Sequence, residues 1–173
     1  MADLISEAES PTSKAPPSAP ATGDTPAELP LVELLFFAYR DFVSEPDALL
    51  AKYGFGRAHH RVLHFVNRHP GIRVADLLDI LRITKQSLAR VLKQLVDGDF
   101  VAQRPGPTDR RQRLLYPTGA GAELANRLLE MQSRRIASAL SDLPPDCRDT
   151  AEMFLRGIID AGERDKVARL IAR

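Results

Sequence analysis

The stretch that most limits what this chain can become runs from Ile83 to Arg113, ITKQSLARVLKQLVDGDFVAQRPGPTDRRQR. Leu88, Val91, Leu92 and Leu95 recur at i, i+3, i+4 and i+7, the apolar stripe of a helix seated on a core. Thr84 stands just before it, where a hydroxyl can accept from an orphan amide of the first turn. Lys85, Gln86, Ser87, Arg90, Lys93 and Gln94 occupy the other side, and Gly98 ends the helix. Two short strands follow, Phe100–Arg104 and Gln112–Tyr116, joined by a turn built on Pro105, Gly106 and Pro107. The tip of that hairpin is Asp109-Arg110-Arg111.

The remainder of the chain reads as helix. Residues 1–28 are rich in Pro, Ser, Ala and Thr, too poor in large apolar groups to offset ordering entropy, and predict a disordered tail. Residues 29–44 carry Leu31, Leu34, Leu35, Ala38 and Phe42 on one face, widened by Val32, Phe36, Phe37 and Tyr39. A helix so apolar needs cover on more than one side, from its own core and from another subunit. Ser44 and Pro46 are expected to interrupt it, with a shorter turn of helix through Leu50 to Tyr53. After Gly54 and Gly56, residues Ala58, Val62, Phe65 and Val66 mark a second helix, closed by Pro70-Gly71. Val74, Leu77, Leu78 and Leu81 mark a third, joined to the capped helix through Arg82-Ile83. Two short helices so tightly linked form a helix-turn-helix. The fold class is therefore mainly α with a small β-hairpin wing, a winged helix-turn-helix with a helical dimerisation region. Beyond Thr118 a nearly continuous seam of Ala125, Leu129, Gln132, Ile136 and Leu140 marks a long helix. Pro144-Pro145 breaks it, with Pro145 suited to opening the next helix. Ala151, Phe154, Leu155, Ile158 and Ile159 give that helix its stripe, which Val167, Leu170 and Ile171 continue. The predicted organisation is a tail (1–28), an N-terminal dimerisation helix and linker (29–56), a DNA-binding unit (57–117) and C-terminal dimerisation helices (118–173).

Charge sharpens this division. Net charge is only +1, yet residues 1–56 hold 3 Lys+Arg against 9 Asp+Glu, and residues 57–113 hold 12 against 5. A basic middle flanked by an acidic lead suits contact with phosphate, although basic segments also arise as ordinary solvated surface. There is one cysteine, Cys147, so no disulfide framework within the chain is expected, and it reads as an incidental thiol. The N-terminus lacks a basic start followed by an apolar run, and no apolar stretch approaches membrane-spanning length, so a cytoplasmic protein without membrane attachment is expected.

A helix with polar donors on its free face, followed by a ribbon with arginines at its tip, suits double-stranded DNA. The helix would enter the major groove and the ribbon the neighbouring minor groove. Arg90 and Gln86 are candidates for base contact, Lys85 and Lys93 for phosphate. Arg110 and Arg111 alternate along the ribbon, so only one can enter a groove; Asp109 is a positioning residue, tolerable beside DNA when paired with a guanidinium. His60 and His64 lie one helical turn apart with His59 before them, but a metal site needs further ligands and none is near, so neither metal nor cofactor is predicted. The competing reading is a winged-helix module that binds another protein without DNA, against which stand Arg90, Lys93, Arg110 and Arg111. An enzyme lacks its parts: no Gly-rich phosphate loop, Ser/His/Asp order or metal cluster is present.

The run from Asp109 through Arg111 and Arg113 to Tyr116-Pro117-Thr118-Gly119-Ala120-Gly121 resembles the wing signature of MarR-type regulators. Thr84–Leu95 is similar to that family's recognition helix, including the Ser87 and Arg90 positions, and the resemblance covers about residues 30–171. FFAYRDF and GRAHHRVLHF further resemble its PetP-like branch. The resemblance implies a homodimer on a pseudo-palindromic operator, with Thr84, Lys85, Gln86, Ser87, Arg90, Lys93, Asp109, Arg110 and Arg111 at the DNA. It further implies Arg111 in the minor groove, held by Asp109, and release of DNA when a small anion or phenolic effector binds between dimer region and reading lobe. Two departures stand out. Arg82 and Asp99 occupy positions where the family commonly has Gly, and a non-Gly residue there is strained where the backbone needs positive φ.

Overall fold

The computed structural model describes residues 26–172; the tail predicted over residues 1–28 lies, up to residue 25, outside them. Seven α-helices and three strands are found among the described residues: α1 (Leu29–Ala51), α2 (Arg57–Arg68), β1 (Ile72–Arg73), α3 (Val74–Leu81), α4 (Lys85–Asp97), β2 (Val101–Pro105), β3 (Arg113–Pro117), α5 (Gly119–Ser141), α6 (Cys147–Ile158) and, after a 3-10 turn at Ala161–Glu163, α7 (Arg164–Ile171). None of these helices is long and apolar enough to cross a membrane.

The core is built by one stripe from each of several helices meeting β3. Leu50 of α1, Leu63 of α2, Leu77 of α3, Leu88 and Leu95 of α4, Leu115 of β3 and Leu128 of α5 are all fully buried. Each contributes about 1.5–3 kcal/mol by leaving water, which is why α4 holds its orientation against a free face made of charges. The sheet has three strands in the order β1-β3-β2, both pairings antiparallel. The hairpin expected from sequence is thus joined by a two-residue strand, Ile72 opposite Leu115 and Arg73 opposite Leu114.

Several local expectations are corrected. Helix α1 does not stop at Ser44 but passes through Pro46 to Ala51. A proline inside a helix forfeits an amide bond and costs about 3 kcal/mol. Here Pro46 is buried with Val43, Leu49 and Leu50, and only a continuous helix places all four in the core. On α2 the buried face is His59, His60, Val62, Leu63 and Val66, with Ala58 exposed. On α5 the core takes Leu124, Ala125 and Leu128, whereas Leu129, Gln132, Ile136 and Leu140 line a cleft. Helix α6 opens at Cys147, two residues after Pro145, with Asp146 in the left-handed region at its N-cap.

Both non-glycine turns do adopt positive φ. Arg82 closes α3 at φ 50° and ψ 46°. Asp99, rather than Gly98, is the left-handed residue after α4, at φ 59°. Its amide bonds Val96 O at 3.0 Å and the Phe100 amide bonds Leu95 O at 2.8 Å, the paired bonds of a Schellman stop. Each such residue carries a steric cost of about 1–2 kcal/mol that glycine would avoid.

Candidate nucleic-acid interface

Helix α4 is started by Thr84, whose Oγ1 accepts from the Ser87 amide at 3.1 Å and donates to Ser87 Oγ at 2.9 Å. Ser87 is therefore half-buried and engaged in the cap. Lys85, Gln86 and Arg90 are exposed, on the side away from Leu88, Val91, Leu92 and Leu95. Lys93 is exposed too, but its ammonium sits 2.5 Å from Asp97 one turn on. An exposed pair of this kind is worth less than about 1 kcal/mol, so it holds Lys93 only weakly.

Gln94 is a different case. Its Oε1 lies 2.9 Å from His59 Nε2, while His59 Nδ1 accepts the Gly56 amide at 3.1 Å. The amide bond assigns the ring its tautomer, with Nε2 as the donor to Gln94. His59 also stacks on Phe55, 4.6 Å between centroids, and Phe55 meets Phe100 edge-on at 5.2 Å. This aromatic cluster ties the start of α2 to α4 and to the foot of the wing. Gln94 looks polar and solvent-facing in the sequence, and its role became visible only through a partner 35 residues away.

The wing pairs Val101–Pro105 with Arg113–Pro117. Its loop is closed by Gly106 N to Gln112 O and Gln112 N to Asp109 O, both 3.0 Å. A Cβ on Gly106 would lie 2.8 Å from Asp109 O, so only glycine permits that closure. Asp109 Oδ1 accepts the backbone amide of Arg111 at 2.9 Å. The carboxylate thus shapes the turn beneath Arg111, bonding the backbone rather than a guanidinium. Asp109, Arg110 and Arg111 are all exposed. Arg104, lower on β2, lies 4.9 Å over the Tyr116 ring, a contact that stiffens the stalk.

The Thr-Gly-Ala-Gly run after β3 gains a physical meaning. Thr118 Oγ1 donates to Asp99 O at 2.6 Å and accepts the Gly121 amide at 3.0 Å, capping α5 and gripping the foot of β2. Gly121 is buried against the Phe100 carbonyl; a Cβ there would fall 1.8 Å from that oxygen. The wing is in this way bolted to the first turn of α5.

Elsewhere in the fold, α1, α2 and α5 line a cleft of about 690 Å³. Tyr39, Phe42, His60, Arg61, His64 and Arg148 are among its lining residues, whereas Phe36 and Phe37 point to solvent elsewhere on α1. Burial pulls both His60 and His64 below the usual imidazole range; the neighbouring His64 lowers His60 further while Asp47 opposes the shift, and Arg68 and His69 lower His64 further. No group of three or more metal-ligating side chains occurs among the described residues.

A model described as the MarR family matches residues 53–112. The HTH-type transcriptional regulator PetP of Rhodobacter capsulatus is 41% identical over 133 residues, spanning 77% of this chain and 80% of the relative. Among solved structures, a mutant MarR from E. coli complexed with operator DNA superposes with a TM-score of 0.60 at 22% identity, over 76% of this chain and 95% of the other. An S. aureus MepR–DNA complex gives 0.62 at 15% identity, over 73% and 94%. At those identities the likeness to solved structures speaks for the fold.

Proposed function

The chain belongs to the MarR family of transcriptional regulators, and from that premise we propose that it acts as a homodimer gripping duplex operator DNA. The observation that carries this reading is a capped, core-anchored α4 offering Lys85, Gln86 and Arg90 to solvent, together with a wing whose tip exposes Arg110 and Arg111. In the major groove Arg90 and Gln86 read base edges, a good bidentate contact discriminating by about 1–3 kcal/mol. Lys85, Lys93 and the Thr84–Ser87 turn meet phosphates and position the helix. In the minor groove Arg111 is the inserted side chain, with Asp109 shaping the turn that presents it. The two MarR-like complexes with DNA are consistent with this use of the fold.

The dimer follows from surface that a lone chain leaves in water. Leu34, Phe36 and Phe37 of α1 and Met153, Phe154, Leu155 and Ile158 of α6 are all more than half exposed. Apolar patches of that kind mark an interface. A second copy covers them, and the two α4 helices then address half-sites whose centres lie about 10 bp apart. The cleft between α1, α2 and α5 is the effector site of this reading: aromatic walls with Arg61 and Arg148 suit a small anionic or phenolic compound.

The wing assignment is tested by titrating a labelled operator at fixed salt with Arg111→Ala and Arg110→Ala. Arg111→Ala weakens binding more; equal or reversed losses remove Arg111 from the groove.

A further inference from the structure

Helix α6 has no buried residue and stands away from the core of its own chain. The chain nevertheless comes back to the reading lobe. After the extended Ile159, α7 is tied to α3 and to the end of α2 by side chains. Lys166 Nζ is 2.5 Å from Asp79 on α3 and 3.5 Å from Glu163. Glu163 Oε1 is 3.1 Å from Arg82, and Arg82 is also 3.6 Å from Asp160. Asp79, Lys166, Glu163, Arg82 and Asp160 thus form one chain of alternating charge. At the far end of α7, Arg68 Nη2 donates to Ile171 O at 3.4 Å, a cation at a helix C-terminus.

Two further facts give this chain of charges a mechanical meaning. Arg82 is the turn of the helix-turn-helix, held at φ 50° where the residue itself is unfavourable. The corner between α6 and α7 is also built: Arg164 donates to Gly157 O at 2.8 Å and Ile159 O at 3.0 Å, closing the last carbonyls of α6. Arg164 thus links the end of α6 to α7, Lys166 links α7 to α3, and Glu163 links it to the Arg82 turn between α3 and α4.

We propose that the segment Asp160–Ile171 is a strap that positions the reading helix, with Asp79, Arg82, Glu163 and Lys166 as positioning residues that couple the α6 arm to the turn before α4. The inference rests on the DNA-binding reading above. It assigns these residues no contact with DNA; they act by restricting the angle at which the lobe is presented. Being partly exposed, the strap is weakened by salt, and its loss adds to the salt dependence that phosphate contacts bring.

The test is a charge swap on the full chain. Binding to a labelled duplex, recovered by selection from a random pool, is measured for Lys166→Glu, Asp79→Lys and the double variant. Lys166→Glu sets three carboxylates together and weakens binding about fivefold, in line with loss of an exposed pair plus repulsion. The double variant, which restores one pair at unchanged net charge, recovers affinity to within about twofold. Arg169→Glu is the control, an exposed residue on the same helix making the same change in net charge. A loss equal to that of Lys166→Glu in this control, or no recovery in the double variant, overturns the proposal. Should the wild type select no duplex, the DNA reading itself fails. Amide exchange then decides the strap alone: faster exchange across α7 in Lys166→Glu supports it, and unchanged exchange overturns it.

Discussion

Replacing Gly121 by alanine tests how the wing is fastened to α5. The new Cβ would fall 1.8 Å from the Phe100 carbonyl oxygen and 2.8 Å from its carbon, both backbone atoms with no side-chain freedom to yield. The first turn of α5 has to withdraw. It is held there by Thr118, through Oγ1 to Asp99 O at 2.6 Å and N to Phe100 O at 3.2 Å, and these bonds stretch or break together. Overpacking costs about 1–3 kcal/mol and each lost hydrogen bond about 1 kcal/mol, so a total of roughly 3–5 kcal/mol is expected. That is a large share of the 5–15 kcal/mol or so by which a domain is stable. Urea unfolding at one fixed protomer concentration reads the change directly. Gly119→Ala, two residues away, is the internal control because nothing lies within 4 Å of its added Cβ. It should leave stability unchanged or raise it by up to about 1 kcal/mol. A Gly121→Ala protein within about 1 kcal/mol of wild type would refute the close approach and the reason given for the glycine.

Other perturbations separate roles that the sequence runs together. Asp109→Ala removes the acceptor for the Arg111 amide and should weaken operator binding several-fold with the unfolding midpoint unchanged, whereas Asp109→Asn keeps an acceptor and most of the affinity; equal loss in both would mean the charge, not the turn, matters. Gln94→Ala leaves the buried His59 Nε2–H without its partner and should cost about 1–3 kcal/mol in urea unfolding; lost DNA binding at unchanged stability would instead make Gln94 a contact. Burial lowers the pKa of His60 and His64 in the folded chain, so as pH falls below about 6.5 the unfolded chain takes up protons first. Stability is therefore full above pH 6.5 and declines below it, and His60→Gln with His64→Gln should flatten the slope between pH 7 and 5.5. An unaltered slope would show that these imidazoles do not govern it.

The reading lobe was legible in the sequence because its signals are local. A threonine cap, an apolar stripe at helical spacing and a hairpin turn each act within a few residues, so α4 and the wing emerge where expected. What escaped depends on distant partners. Pro46 reads as a helix breaker until Val43, Leu49 and Leu50 are seen to need one continuous helix to reach the core. Strand β1 is two residues long and exists only because Leu114 and Leu115 lie beside it. Gln94 carries no mark of its tie to His59. Apolar spacing predicted one final helix with Val167, Leu170 and Ile171 extending its stripe. The structure divides it at Ile159–Asp160, because Arg164 turns back to take the carbonyls at which α6 ends.

The central claim is that the outward side of α4 and the tip of the wing together grip a duplex. Selection of bound sequences from a random duplex pool tests it most directly. The account predicts enrichment of an inverted repeat with half-site centres about 10 bp apart, lost when Arg90 and Arg111 are both changed to alanine. A pool with no enriched sequence, or an enrichment that survives the double change, would contradict it.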